Sequence, residues 1–323
     1  MKRLPAQWEK QKRILITFPH IKSDWRKNID EITASYVKII DIIANFEKIL
    51  IICDNVSRVK KFFEKNKNIE FVKIKTNDTW IRDYAPITIF KGKKKQLLNF
   101  RFNGWGAKFS HKYDNLVNKQ LAKKKLIKNM KDINFILEGG SIDTNGKGVI
   151  LTTTNCLLNP NRNFYLNKKD IEQYLVKFFN AKKILWLKYG KLLGDDTDSH
   201  IDTLARFIDE NTIAYLKCYD KLDPNFKELE KMEKELKLFN YNILPLPVPS
   251  PMKYRNNRLP ATYINFLFIN NAMLVPIYND PMDKITLRIL KHHFKNSKEI
   301  IPIDCSTLIK QNGSLHCATM QLF

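Results

Sequence analysis

Asp195-Asp196-Thr197-Asp198-Ser199-His200-Ile201-Asp202 places four carboxylates and one imidazole within eight residues of a chain whose formal net charge is +23. No Lys or Arg occurs between Leu192 and Ala205. An acidic pocket in a basic protein suits a cationic ligand, and the histidine adds a group that moves protons near neutral pH. A nucleophile is available in Gly313-Ser314-Leu315-His316-Cys317. The thiolate is a strong soft nucleophile, and small residues before it let a substrate come close. With a free thiol pKa of about 8.5, a neighbouring cation would be needed to hold the ionised form. Taken alone, Cys317 reads as buried filler and His316 as a hydrogen-bonded structural histidine.

A metal is the competing ligand for the acidic stretch. On a strand, His200 and Asp202 would face the same side. Asp196 and Asp198 begin a calcium-loop series, but the glycine that turns such a loop is missing and no glutamate follows until Glu210. An acidic turn or helix cap before a strand also fits the stretch when it is read by itself. A planar guanidinium fits best, because its fixed fork of donors matches two carboxylates.

The elements that must position these groups follow from composition and periodicity. With 44% hydrophobic residues, including 20 Phe and 12 Tyr, the 323-residue chain can bury a sizeable core and is not disordered. Amphipathic helical patterns start near Val56, Asn115, Lys169, Asn225 and Met282, 54–59 residues apart. Each is followed by a short apolar strand: 71–74, 133–137, 184–187, 243–246 and 300–303. Two further strand-like runs usually come before the next helix. Five units of one helix and three strands imply a closed ring of modules. The last unit is a strand short, and 13–18 at the N-terminus could supply it. A helix at 30–46 and a strand at 48–52 are extra to this count. Trp80-Ile81-Arg82-Asp83-Tyr84, Glu138-Gly139-Gly140-Ser141 and the acidic stretch occupy equivalent places in successive units, so they should face one centre. Gly139 and Gly140 are read as permitting a special backbone turn. Arg82 is read as pairing with a neighbouring carboxylate, and Cys156 as packing.

Five widely spaced cysteines without a Cys-x-x-Cys pair argue against a zinc site or a disulfide framework. The lysine clusters at 91–95 and 119–128 read as a solvated surface, since basic residues recur along the whole chain and Arg is the minority. The N-terminal residues hold no apolar leader, and no apolar run reaches about 18 residues, so a cytoplasmic protein without a membrane partner is expected. No linker divides the chain, so residues 1–323 are read as a single domain.

Several runs, in order along the chain, resemble the bacterial agmatine deiminase family. They are Trp80-Ile81-Arg82-Asp83-Tyr84-Ala85-Pro86, Phe102-Asn103-Gly104-Trp105-Gly106, Glu138-Gly139-Gly140-Ser141, Thr153 to Asn163, the acidic stretch, Pro260 to Phe266 and Leu315-His316-Cys317. The resemblance implies an α/β fold of the five-bladed, pseudo-symmetric α/β-propeller (pentein) type. It also implies hydrolysis of agmatine to N-carbamoylputrescine and ammonia, with neither metal nor organic cofactor. Carried over position by position, Cys317 would attack the guanidinium carbon while Asp83 and Asp202 bind its outer nitrogens. His200 would protonate the departing ammonia and then activate water, with Glu138 orienting it. Asp196 would contact the substrate, at its ammonium tail, and Trp80 would form a stacking wall. Asp195 and Asp198 are left as turn acids.

Three departures stand out. Ser199 replaces the usual glycine before the histidine, and Gln311-Asn312-Gly313-Ser314 replaces a more glycine-rich run. Tyr84-Ala85 replaces Thr-Gly, and Tyr in that place is reminiscent of related peptidylarginine deiminases. Against a peptidylarginine or free-arginine substrate, no arginine follows Asn103 to meet a carboxylate. A cation- or nucleic-acid-binding protein without catalysis is the remaining reading, although binding alone needs no nucleophile. The expected partner is a small molecule rather than nucleic acid, and the sequence is compatible with a homo-oligomer.

Overall fold

The computed structural model describes residues 2–63, 65–295 and 297–323. Among them, five sheets of three or four strands share one plan: an antiparallel pair, then a helix, then a strand parallel to the second of the pair. Ile142–Thr144, Val149–Thr153 and Lys183–Leu187 follow this plan, with helix Lys168–Phe179 as the crossover. Ala205–Phe207, Thr212–Lys217 and Asn242–Pro247 repeat it around helix Phe226–Lys237. Leu267–Ile269, Ala272–Ile277 and Glu299–Asp304 repeat it around helix Pro281–Phe294. In a fourth sheet Ile87–Lys91 pairs with Lys94–Arg101, which in turn pairs, past helix Val117–Lys123, with Met130–Ile136. Lys2–Arg3 lie along its free edge.

The fifth sheet joins the two ends of the chain. Thr319–Leu322 runs antiparallel to Arg13–Thr17, which is parallel to Lys48–Cys53 and, through it, linked to Ile69–Lys73. The sheet ending at Glu299–Asp304 is already complete, so the unit boundaries shift. The repeat count stays at five, and the N-terminal strand supplies the missing partner of the C-terminal one, as expected. Helix Ile29–Phe46, which the sequence count set aside, is the true crossover of this unit. The five-residue helix Val56–Lys60 leads to an additional fourth strand. Both helices fell at plausible spacings, so periodicity alone could not rank them.

The long helix earns its place through burial. Ile32, Tyr36, Ile39, Ile40 and Ile43 form one apolar stripe against the strands, with Asp30 and Glu31 in the first turn. Strands Arg13–Thr17 and Lys48–Cys53 are buried on both faces, as their unbroken apolar runs require. Helices Lys168–Phe179 and Pro281–Phe294 are opened by capping boxes, Asn167 with Asp170 and Asp280 with Asp283.

Each parallel strand delivers the chain to the middle of the molecule before the next hairpin begins. Three of these central segments contain short 3-10 turns, Ile81–Asp83, Gly139–Ser141 and Ile201–Thr203, and the first and third each pack on the second. The others are the run 260–266 and the loop 312–317. On the outside, the lysine clusters meet around a surface cleft lined by Lys12, Arg13, Lys95, Lys125 and Lys128. No described helix is long and apolar enough to cross a membrane.

Asp280 caps the Met282 amide and also accepts from the Ser250 amide. Asp280→Ala should therefore cost about 1–2 kcal/mol of unfolding free energy. Urea denaturation with an unchanged slope would measure this, and equal midpoints for variant and parent would refute it.

Candidate active site

Cys317 sits at the centre, held by Asn265 from the neighbouring unit. The Asn265 side-chain oxygen accepts from the amides of His316 (2.9 Å) and Cys317 (3.3 Å). Its nitrogen reaches Cys317 Sγ (3.3 Å) and the Asp202 carbonyl (3.2 Å). Arg82 N donates to the Cys317 carbonyl (3.1 Å), so three units clamp one loop. Burial pushes the Cys317 thiol well above its ordinary range, and the charges of Asp202 and Asp83 push it further.

The two carboxylates differ in how they are held. Asp83 accepts from Trp105 Nε1 (2.9 Å) on one oxygen and from the Gly140 amide (2.8 Å) on the other. Asp202 Oδ2 lies 2.7 Å from His316 Nδ1 and 3.7 Å from Cys317 Sγ. Its Oδ1 is buried without a hydrogen-bond partner among the described residues. Burial raises both carboxyl groups, that of Asp202 to about 7, and for Asp83 the charge of Asp202 adds to it.

Gly139 and Gly140 serve space rather than an unusual turn, since neither has a positive φ. A Cβ on Gly140 would lie 2.7 Å from His200 Nδ1 and 2.9 Å from oxygens of both Asp202 and Asp83. One on Gly139 would lie 2.2 Å from the Arg82 carbonyl. The glycine pair is where His200, Asp83 and Asp202 converge. His200 reaches it as the residue that opens the 3-10 turn Ile201–Thr203 and Asp202 from within that turn, not from a strand.

His200 is buried, its Nδ1 3.8 Å from Asp83 Oδ1 and its Nε2 without a hydrogen-bond partner among the described residues. Burial and then the Arg162 charge hold the imidazole well below its ordinary range, hence neutral. Glu138, Cys156 and His200 bring donor atoms within 4.8 Å of one another. The hydrogen bonds of Glu138, however, come from Arg162, whose Nε reaches both oxygens at 2.9 and 3.1 Å. Arg162 continues to Asp198 (2.6 Å) and the Thr197 carbonyl (2.9 Å), tying the acidic turn to Glu138. The sequence reading passed over Arg162 and Asn265, although both lie in runs it quoted. A buried arginine whose acceptors are Glu138, Asn161, Asp198 and the Thr197 carbonyl leaves no local pattern. Arg82 is buried as well, but its partners are the His316 carbonyl, Met320 Sδ and Gln321 Oε1, not the carboxylate expected of it.

A cleft of about 570 Å³ leads from Cys317 and Asp83 to the surface. Trp80, Trp105 and Phe109 form its walls, and Asp24, Asp78 and Asp196 line it further out, with no basic residue among the described lining. Burial raises Asp78 to about 7 and Asp196 to about 6. Trp80 packs so closely on the Gly313 backbone that a Cβ there would lie 2.5 Å from its ring. Trp105 reaches Asp83 because the backbone is left-handed at Gly104, Trp105, Gly106 and Ala107, which explains the Gly-Trp-Gly run. Asp195 and Asp198 are turn acids as expected: Asp195 accepts from Thr197 Oγ1 and the Ser199 amide, and Asp198 pairs with Lys108 and Arg162.

The three departures also find their places. Asn312 takes the left-handed conformation of a missing glycine (φ 62°) and donates to Asp196 Oδ2 at 2.9 Å. Ser199 stands at φ 68°. Tyr84 is buried beneath the cleft, its hydroxyl bonded to Thr17 Oγ1 (2.7 Å) and the Asp78 carbonyl (2.9 Å), so it supports the wall without lining it.

Residues 3–322 match the family model described as Porphyromonas-type peptidyl-arginine deiminase. A cysteine-to-serine variant of C. jejuni agmatine deiminase with substrate bound is 46% identical, covers 100% of this chain and 96% of its own, and superposes with a TM-score of 0.97. An agmatine deiminase of Enterococcus faecalis is 24% identical over 99% of this chain and 95% of its own, with a TM-score of 0.90, and shows the shared fold. A dimethylarginine dimethylaminohydrolase, 10% identical over 97% of this chain and 100% of its own, retains the fold at a TM-score of 0.52.

Left-handed backbone costs a non-glycine residue about 1–2 kcal/mol, while glycine adds about 0.5–1 kcal/mol of lost chain entropy. Among the described residues, Ser199 is hydrogen-bonded through its backbone alone, to Asp195 and Thr153. Ser199→Gly should thus stabilise the fold by about 0.5 kcal/mol, read as a higher denaturation midpoint; a lower midpoint would show that the hydroxyl matters.

Proposed function

The chain belongs to the Porphyromonas-type peptidyl-arginine deiminase family, and from that premise we propose that it hydrolyses agmatine to N-carbamoylputrescine and ammonia through a covalent cysteine intermediate. The observation that carries this reading is the charge pattern of the cleft. Asp83 lies at the inner end beside Cys317, with Asp202 3.7 Å from the thiol. Asp24, Asp78 and Asp196 continue the acidic lining outward. Such a cleft suits a cation at both ends. Free arginine would bring a carboxylate to the outer end and meet only like charge there. The 46% identical C. jejuni enzyme named for agmatine supports the same substrate.

In this mechanism the guanidinium lies between Asp83 and Asp202, which fix its outer nitrogens and hold its carbon within reach of Cys317 Sγ. The seated cation reverses the field that keeps the thiol protonated, and the thiol proton passes to neutral His200. Thiolate attack forms a carbon–sulfur bond. The imidazolium of His200 returns the proton to the leaving nitrogen, and ammonia departs. His200, neutral again, takes a proton from water as the oxygen attacks the amidino-cysteine carbon. Collapse expels the thiolate and leaves the ureido product. Glu138, anchored by Arg162, supplies the negative charge that stabilises the imidazolium between these steps. Asp196 and its outer neighbours take the ammonium tail, and Trp80 walls the alkyl chain. The five free, buried cysteines suit a reducing cytoplasmic setting.

Purified protein incubated with agmatine, free arginine and a peptide ending in arginine should release ammonia and ureido product from agmatine at the highest kcat/KM. Preferred turnover of the peptide would replace the agmatine reading with a peptidylarginine one. Cys317→Ala should lower turnover by at least about 10⁴-fold while agmatine still binds. Because burial raises the Asp202 carboxyl to about 7 and that of Asp196 to about 6, kcat/KM should rise with pH as these groups ionise and fall as acid protonates them. A profile flat from pH 5 to 8 would contradict their roles.

A further inference from the structure

Gln7 lies far in sequence from every residue given a role above, yet it reaches the base of the site. Its side-chain oxygen accepts from Arg206 Nη2 (2.7 Å), His316 Nε2 (2.9 Å) and Gln321 Nε2 (3.1 Å). The Arg206 contact decides which end of the amide faces inward, because a guanidinium and an amide nitrogen are both donors. Arg206 is fully buried and cannot swing away, being bonded to the Ile264 (3.2 Å) and Phe266 carbonyls with Asp143 3.6 Å from its Nε. With oxygen facing His316, the histidine must carry its proton on Nε2. Its other nitrogen, Nδ1, then turns a lone pair toward Asp202 Oδ2 at 2.7 Å. A contact that short between two acceptors requires a shared proton.

We propose that Gln7 and His316 are positioning residues for the reaction above: the Arg206–Gln7–His316 chain keeps one proton between His316 and Asp202, on the carboxyl before substrate binds and on the imidazole once the guanidinium is seated. The transfer breaks the Asp202 O–H bond and forms an N–H bond at His316 Nδ1, so no proton leaves the buried site. Asp202 becomes the carboxylate that the guanidinium needs. The imidazolium it creates lies next to Cys317 in the chain and favours the thiolate. The groups facing this pair set its resting state. Burial, then Arg206, Arg82 and His200, oppose the imidazolium; burial, Asp195 and Asp83 oppose the carboxylate, which Arg206, Arg82 and the hydrogen bond from the Cys317 thiol favour. Substrate charge beside Asp202 supplies the shift. Geometry fixes where the proton lies; the agmatine reading is needed only for its use.

Nitrogen-15 spectra of histidine-labelled wild-type protein, with His316→Gln to assign the ring, should show neutral His316 protonated on Nε2 without substrate. Agmatine should move the ring toward imidazolium. Gln7→Leu frees the ring to turn an N–H toward Asp202, which then ionises more easily. Its acid limb of kcat/KM should move down by about half a pH unit, and kcat should fall about 10- to 100-fold with KM changed less than about threefold. Gln7→Glu keeps an acceptor oxygen and should restore most of kcat. An Nδ1-protonated ring in the wild type overturns the proposal. So does a Gln7→Leu profile that superposes on the wild type with equal losses in Leu and Glu, which is what a structural role gives. If the wild type leaves agmatine untouched, the functional reading fails, and the ring spectrum still decides where the proton lies.

Discussion

The centre of this molecule is a problem of buried like charge. Asp83, Glu138 and Asp202 meet within a few side chains of one another, each less than 5% exposed. Desolvating three carboxylates without partners would cost far more than a domain's net stability. The chain answers by supporting each from its far side. Arg162 holds Glu138, His316 holds Asp202, and the Trp105 and Gly140 N–H groups hold Asp83. The supports differ in charge, and that difference sorts the carboxylates. Glu138 faces a full guanidinium. Asp83 and Asp202 receive only neutral donors or a shared proton, so both stay poised to gain a cation.

The fold makes this convergence affordable because every unit contributes one central segment. Asp83, the Glu138–Gly140 turn, His200 with Asp202, Asn265 and Cys317 come from five successive units, each carried inward by a parallel strand. Closing the chain matters as much. Thr319–Leu322 pairs with Arg13–Thr17 only two residues after Cys317, so the Cys317 loop is anchored by the joint between the two termini. Gln7 and Gln321 meet across the same joint at 3.1 Å. Loosening the ends would loosen the site.

What could be read from sequence was whatever carries a local pattern. The five helix–strand units, the acidic stretch and the candidate site residues Cys317, His200, Glu138, Asp83 and Asp202 were all legible, and these residues do meet. The helix at 30–46 was noticed but misplaced, because spacing cannot tell which of two helices crosses over a sheet. Gly139 and Gly140 were noticed for the wrong reason: the crowding of three side chains against Gly140 exists only after folding. Arg162, Asn265, Arg206 and Gln7 escaped notice because their meaning lies in partners scattered along the chain. A single glutamine near an N-terminus has no periodicity to betray it.

The +23 charge, at first the chain's most conspicuous property, bears little on the chemistry inside. Surface charges in water are screened within about 8 Å at physiological ionic strength, whereas groups in a dry cleft act at much lower effective dielectric. The surface lysines therefore neither exclude a cation from the cleft nor neutralise its carboxylates. Lys108 comes nearest, and it is occupied by Asp198 and the Asp196 carbonyl at the rim. On the proposed reading, selectivity for a cation rests with a handful of buried carboxylates and their supports. The lysine-rich exterior can vary without touching it.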